Sequence, residues 1–280
     1  KRVDMTFSVT KSYLSADTGI AIDKGLIKSE KDKVSRYIWD KTFDGQKNQK
    51  ITWEHLLNQS SDWKGSLWGI NDWEDRPNPK LNIDSWRSEA QKEPGTHYKY
   101  NDVRVNVLAY SLLNIYRKSL PKVLQQNIMD KIGASDSWRW YGYENSWVNI
   151  DGYMVQSVSG GGHNGGGVFI NSEDHARFGL LYLNNGLWDG KRIISEEWIK
   201  KSVTSSSTNP EYGYMWWINH EDGEDYATSD WRNVPTNVYY GAGFGGNYIV
   251  VIPDENMVVV ARWLGREKIG TFIRMILESI

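Results

Sequence analysis

Apolar residues fall at helical spacing along much of the chain. The clearest run is Asn101 to Arg117, where Val105, Leu108, Ala109, Leu112, Ile115 and Tyr116 mark one face of a helix. Residues 8–27 read as another, with Leu14, Thr18, Ala21 and Ile22 on one face and Gly25 near the end. Thr52 can cap a short helix whose stripe is Trp53, Leu56 and Leu57. A further helix covers Leu120–Ile132 and stops at Gly133. Ser172-Glu173-Asp174 caps one running through Phe178, Leu181 and Leu183 to Gly186, and Ser195-Glu196-Glu197-Trp198 opens the next. The last runs from about Arg266 to Ile280, its apolar face formed by Ile269, Phe272, Ile273, Ile276 and Leu277.

Alternation marks the strands. Tyr212–Asn219 carries alternating aromatics, and the β-branched runs Tyr248–Ile252 and Met257–Leu264 predict an antiparallel hairpin across Pro253-Asp254-Glu255-Asn256. Residues 58–94 and 134–170 show neither period and read as loop regions, which in compact domains often carry function. Lys28–Lys33 mixes both signs and reads as solvated surface. The order predicts an α+β fold, one antiparallel sheet flanked by helices, as a single domain over residues 1–280. A helical and loop lobe covers about 28–205, and the sheet with its closing helix about 210–280.

Composition narrows the class. Hydrophobic content of 39% and charged content of 24% fit a globular protein, and a net charge of −2 argues against nucleic-acid partners. No apolar run approaches the ~18 residues of a membrane span. The chain holds no cysteine, so thiolate chemistry and disulfides are excluded and the compartment stays open. Fifteen Trp and sixteen Tyr point to aromatics that fill a core and line one cleft, rather than to a sugar-binding surface, because the Trp residues are scattered without a repeat.

Ser8-Val9-Thr10-Lys11 is the candidate chemistry. A serine and a lysine three apart share one helix face, so a neutral amine can take the hydroxyl proton, and unpaired N–H groups at a helix start favour the charge that develops. Such an acyl-transferring pair needs a proton donor for the leaving group, and Tyr100, just before the long helix, offers a phenol drawn down by the nearby cation. It also needs backbone N–H groups at the oxyanion, which Gly241-Ala242-Gly243-Phe244-Gly245-Gly246 could supply at a strand edge. The run Gly160–Gly167 lacks a phosphate-loop ending and reads as a tightly packed or flexible turn beside a cleft. No cofactor is called for.

In this order, Phe7-Ser8-Val9-Thr10-Lys11, Pro94-Gly95 with Tyr100-Asn101-Asp102, and Gly241-Ala242-Gly243 resemble the serine β-lactamase-like superfamily. The likeness is greatest to its class C β-lactamase, esterase, D-aminopeptidase and 6-aminohexanoate-oligomer hydrolase branch. Gly166–Gly190 and Val251–Val260 are also similar to recurring stretches of that branch. The resemblance implies a β-lactamase/transpeptidase-like fold and a small-molecule ester or amide substrate. Ser8 would be the acylated nucleophile, Lys11 its base, Tyr100 the proton relay, and the N–H groups of Ser8 and Phe244 the oxyanion hole. Asp102, Gly241, Gly243, His163 and Trp68 would meet the substrate.

Departures from that family's pattern bear on the substrate. Asp102 stands where Asn is usual, and Gly241 where Lys or His is usual. A lost cation and a gained acid would disfavour anionic β-lactams and favour neutral or cationic amides and esters. Relatives carry strands before the nucleophile helix that pair with the C-terminal hairpin, and seven residues precede Ser8 here, so part of the chain is expected to be missing or a sheet edge uncovered. Any signal segment would lie there, which leaves localisation open, as is the oligomeric state. Three alternatives stand beside an esterase or amidase. One is β-lactamase or D-amino-acid peptidase activity. Another is a non-catalytic peptidoglycan or small-molecule binder walled by Trp68, Trp73, Trp147 and His163. The last is a glycoside-cleaving protein using acids such as Asp72 and Glu74.

Overall fold

A computed structural model describes residues 1–77, 80–162, 166–223 and 231–280. Strand β1 (Val3–Met5) leads through a 3₁₀ turn, Phe7–Val9, into helix α1 (Thr10–Asp23). Every residue from Thr10 to Ala21 is buried, so α1 has no polar face and the expected stripe of Leu14, Thr18, Ala21 and Ile22 is one part of an all-round core contact. Its polar side chains must therefore find partners inside. Ser12 Oγ donates to Met215 O at 2.9 Å and Thr18 Oγ1 to Leu14 O at 2.8 Å.

Asp17 is the exception. It is fully buried, and neither carboxylate oxygen has a hydrogen-bond partner among the described residues. Burial pushes its pKa well above the usual carboxylate range. The folded chain then holds a proton that the unfolded chain releases, so stability falls as pH rises above the unfolded pKa. Asp17→Asn removes that loss: thermal unfolding should show a gain of at least about 1 kcal/mol at pH 8 that shrinks towards zero near pH 4.

The chain continues through α2 (Trp53–Leu57), capped by Thr52 as its sequence predicts. Residues 58–94 hold a small hairpin, β2 (Ser66–Leu67) and β3 (Ile70–Asn71), and a short helix, α3 (Ile83–Ser88). Helix α4 (Asp102–Tyr116) matches its periodicity, and α5 (Leu120–Leu124) widens into a π turn over Gln125–Met129. Strands β4 (Arg139–Ile150), β5 (Tyr153–Val158) and β6 (Gly167–Asn171) precede α6 (Ser172–Leu183). A second small hairpin, β7 (Leu187–Trp188) and β8 (Lys191–Arg192), leads to α7 (Glu196–Ser202). Strands β9 (Trp217–Ile218), β10 (Tyr239–Gly243), β11 (Asn247–Ile252) and β12 (Met257–Ala261) come before the closing helix α8 (Ile269–Leu277).

The fold is α+β, but its larger strands form two four-stranded antiparallel sheets, β1-β6-β4-β5 and β12-β11-β10-β9, where the sequence predicts one. Residues 134–170 are therefore not a loop region. A register shift between Gly142 and Trp147 breaks the period of β4, and Tyr141, Trp147 and Tyr153 are exposed, so apolar-polar alternation disappears. Tyr212–Asn219 contributes only Trp217–Ile218 to a strand, because Met215 turns the chain at φ 64°. The residues before Ser8 pair with β6, not with the C-terminal hairpin.

Two apolar clusters result. The larger surrounds α1 and α4, while the smaller, with Trp231, Tyr240, Tyr248 and Ile269, lies between the C-terminal sheet and α8. The site sits where they meet.

Candidate active site

The turn before α1 places Ser8. Phe7 has φ 51°, a conformation that a bulky side chain adopts only when its surroundings hold it. Those surroundings are Phe244 and Trp263, whose rings meet Phe7 edge-on at 5.6 and 6.0 Å. One turn on, Lys11 Nζ donates to Ser8 Oγ at 2.9 Å and to Gly160 O at 3.0 Å, and the lysine is 2% exposed. The expected Ser–Lys contact is thus formed.

The chain approaches closely here because glycines permit it. A Cβ on Gly161, at φ +88°, would lie 2.0 Å from Phe7 O, and one on Gly162 would lie 2.3 Å from Asp102 Cγ. The first residues of the Gly160–Gly167 run are a packed seam between the nucleophile turn and α4. His163, expected at the substrate, lies outside the described residues.

Asp102 opens α4, whose N-cap is Asn101, with its side chain accepting from Arg104 N at 3.0 Å. Asp102 Oδ1 lies 2.6 Å from Lys11 Nζ, a close ion pair with poor hydrogen-bond alignment, and Oδ2 lies 2.7 Å from Arg76 Nη2. Arg76 Nη1 meets Asp75 at 2.7 Å, and Asp75 in turn accepts from Asp102 N at 2.5 Å. Burial alone would raise the Asp102 pKa, but the charges of Lys11 and Arg76 outweigh it and lower it to about 2. Asp102 is 2% exposed and already paired, so it is no bare acid facing a substrate, and the argument for cationic substrates loses that support.

Tyr100 lies beside the pair, its ring 4.5 Å from Arg76 Cζ and 5.1 Å from Lys11 Nζ and stacked on Trp217 at 6.0 Å. The expectation of a phenol drawn down by the cation is overturned. Burial, reinforced by the Asp102 charge, raises its pKa above the usual tyrosine value, against smaller opposing contributions from Ser8 and Arg76. The phenol stays a proton carrier.

Strand β10 closes the other side. Its two faces differ: Gly241 and Gly243 turn towards the segment that carries Ser8, where an added Cβ would lie 2.7 Å from Val9 Cγ1 and 2.1 Å from Thr6 O respectively. Gly241 therefore admits α1, and unlike Gly243 it is not on the cleft wall. Phe244 is 79% exposed in the turn after β10 and lines the cleft beside Ser8. Trp68 is not on this cleft wall and lies edge-on to Tyr110 and Tyr143 at 6.5 and 6.3 Å. Of the acids considered for glycoside chemistry, Asp72 is buried and pairs with Arg104 at 3.4 Å, and Glu74 accepts from Asn71 N at 2.8 Å.

Sequence reasoning missed Arg76. It lies in a stretch without periodicity, and its one signal was the counter-charge that a buried Asp102 requires. It also missed the Gly160 carbonyl and the aromatic wall of Trp217, Trp231, Tyr240 and Tyr248, since pairing across strands decides which residues share a face.

A strained turn sets Ser8 beside a buried lysine, with a strand edge alongside, on an α+β scaffold of the serine hydrolase class. Residues 5–263 match the beta-lactamase family, and the chain belongs to it. A curated relative, an uncharacterized protein of Alkalihalophilus pseudofirmus, is 21% identical over 267 residues, covering 90% of this chain and 71% of the relative. Among solved structures, a putative 6-aminohexanoate-dimer hydrolase from Bacillus anthracis has a TM-score of 0.70 at 17% identity, covering 100% of this chain and 72% of that one. A beta-lactamase/D-alanine carboxypeptidase from Pseudomonas syringae has a TM-score of 0.68 at 14% identity, covering 99% and 85%. At these identities the structural likeness shows the fold.

Proposed function

We propose that this protein hydrolyses an ester or amide through an acyl-enzyme on Ser8. The observation that supports the reading best is the 2.9 Å bond from Lys11 Nζ to Ser8 Oγ in a buried setting. Lys11, when neutral, takes the Ser8 proton as Oγ attacks the carbonyl carbon. The ammonium so formed lies 2.6 Å from Asp102, whose negative charge stabilises it, and Arg76 keeps Asp102 ionised. Tyr100, holding its proton, relays one to the leaving group as the tetrahedral intermediate collapses. The N–H groups of Ser8 and Phe244 receive the oxyanion. Water then attacks the acyl-enzyme with the same groups in reversed roles, releasing the acid and freeing Ser8.

A fluorophosphonate ester tests the covalent step directly. Mass spectrometry should place the adduct on Ser8, with no adduct in Ser8→Ala and slower labelling in Lys11→Ala. An adduct elsewhere, or none, refutes the mechanism.

A further inference from the structure

The cleft at Ser8 does not end at the reacting atoms. It continues for about 510 Å³ across the outer face of the C-terminal sheet towards the start of α8. Sheet register decides what lines it. Trp217 pairs with Tyr240, and Ala242 with Tyr248, so all four share one face of the sheet. This is the face of β10 opposite Gly241 and Gly243. Within an otherwise aromatic layer Ala242 is the small residue, and its lack of bulk opens a gap beside Ser8. Aromatic side chains line it and brace one another: Trp231 stacks on Tyr240 at 4.6 Å, and Trp217 on Tyr100 at 6.0 Å.

We propose that this gap is a slot for a flat aromatic arm of the substrate. This deepens the hydrolase reading and rests on it for the position of the scissile bond. An aromatic lining favours a ring over a branched or extended aliphatic chain.

Binding to Ser8→Ala protein isolates the slot from the chemistry. Phenylacetate, an acid that such hydrolysis would release, should saturably change tryptophan fluorescence. It should bind at least about tenfold more tightly than hexanoate, an acid of the same charge, as stacking requires. Filling the gap with Ala242→Phe should weaken phenylacetate by about tenfold or more. In enzyme with Ser8 intact, Ala242→Leu should lower the ratio of kcat/KM for a phenylacetyl ester to that for the acetyl ester by a similar factor. Equal binding of hexanoate, or undiminished phenylacetate binding in a folded Ala242→Phe protein, overturns the slot. Ser8 labelled by fluorophosphonate without phenylacetate binding overturns the slot alone. Phenylacetate binding without labelling supports the slot and overturns the hydrolase reading.

Discussion

Ser8→Ala should lower kcat/KM for an activated ester by at least about a thousandfold, Lys11→Met should do nearly the same, and the double variant should lose little more than either. The reason is the single hydrogen-bonded unit that the two residues form: Lys11 Nζ is held at 2.9 Å from Ser8 Oγ and at 3.0 Å from the Gly160 carbonyl. Without the hydroxyl the amine has no proton to take, and without the amine the hydroxyl remains a weak nucleophile. The residual rate would come from the oxyanion site and from binding. Steady-state kinetics on all three variants check this, with circular dichroism as the control for folding. Losses that multiply in the double variant would mean that the residues act independently, against the geometry.

Asp102 carries the second large effect, and it separates stability from catalysis. Asp102→Ala leaves Lys11 and Arg76 as neighbouring cations without the carboxylate between them. Breaking one member out of a buried ionic cluster costs about 3–5 kcal/mol, enough to lower the unfolding midpoint by several degrees or to prevent folding. Asp102→Asn keeps the shape and some of the polar contacts, so it should fold. By removing the charge that balances the ammonium formed as Ser8 attacks, it should lower kcat/KM by about tenfold or more while the fold survives. In the unaltered protein the same carboxylate sets an acid limit. Its pKa falls from 3.8 unfolded to about 2 folded, so its contribution is present above about pH 4 and is lost as pH falls through 2. The loss is on the order of 2 kcal/mol. Acid titrations of both proteins compare these slopes, and an unchanged slope in Asp102→Asn would show that the carboxylate does not report on the fold.

Helices with an apolar period and a cap were legible in the sequence, as α4 and α2 illustrate, because period and capping are local properties, although α4 too is buried all round from Asp102 to Ala109. The C-terminal hairpin was legible for the same reason, although its turn is a 3₁₀ segment with Asn256 at φ 47°. Helix α1 was found, but its environment was misjudged. Burial on all sides is a property of neighbours, and the local pattern of Ser, Thr and Asp among Leu and Ile does not encode it. The β4–β5 hairpin was missed outright, since a bulge and outward-facing aromatics remove the alternation by which strands are recognised. In the site, Ser8, Lys11 and Tyr100 came from spacing and order. Their charge state did not.

The sequence by itself determined the spacing of Ser8 and Lys11, the order in which Tyr100 and Gly241–Gly246 follow them, and the α+β class, because these rest on short-range spacing that survives in one dimension. Only the tertiary structure decided that Arg76 neutralises Asp102, that Tyr100 keeps its proton, and that Ala242 leaves a gap in an aromatic layer. Each depends on residues far apart in the chain being brought into a low-dielectric interior, where distance sets the energy and sequence separation does not.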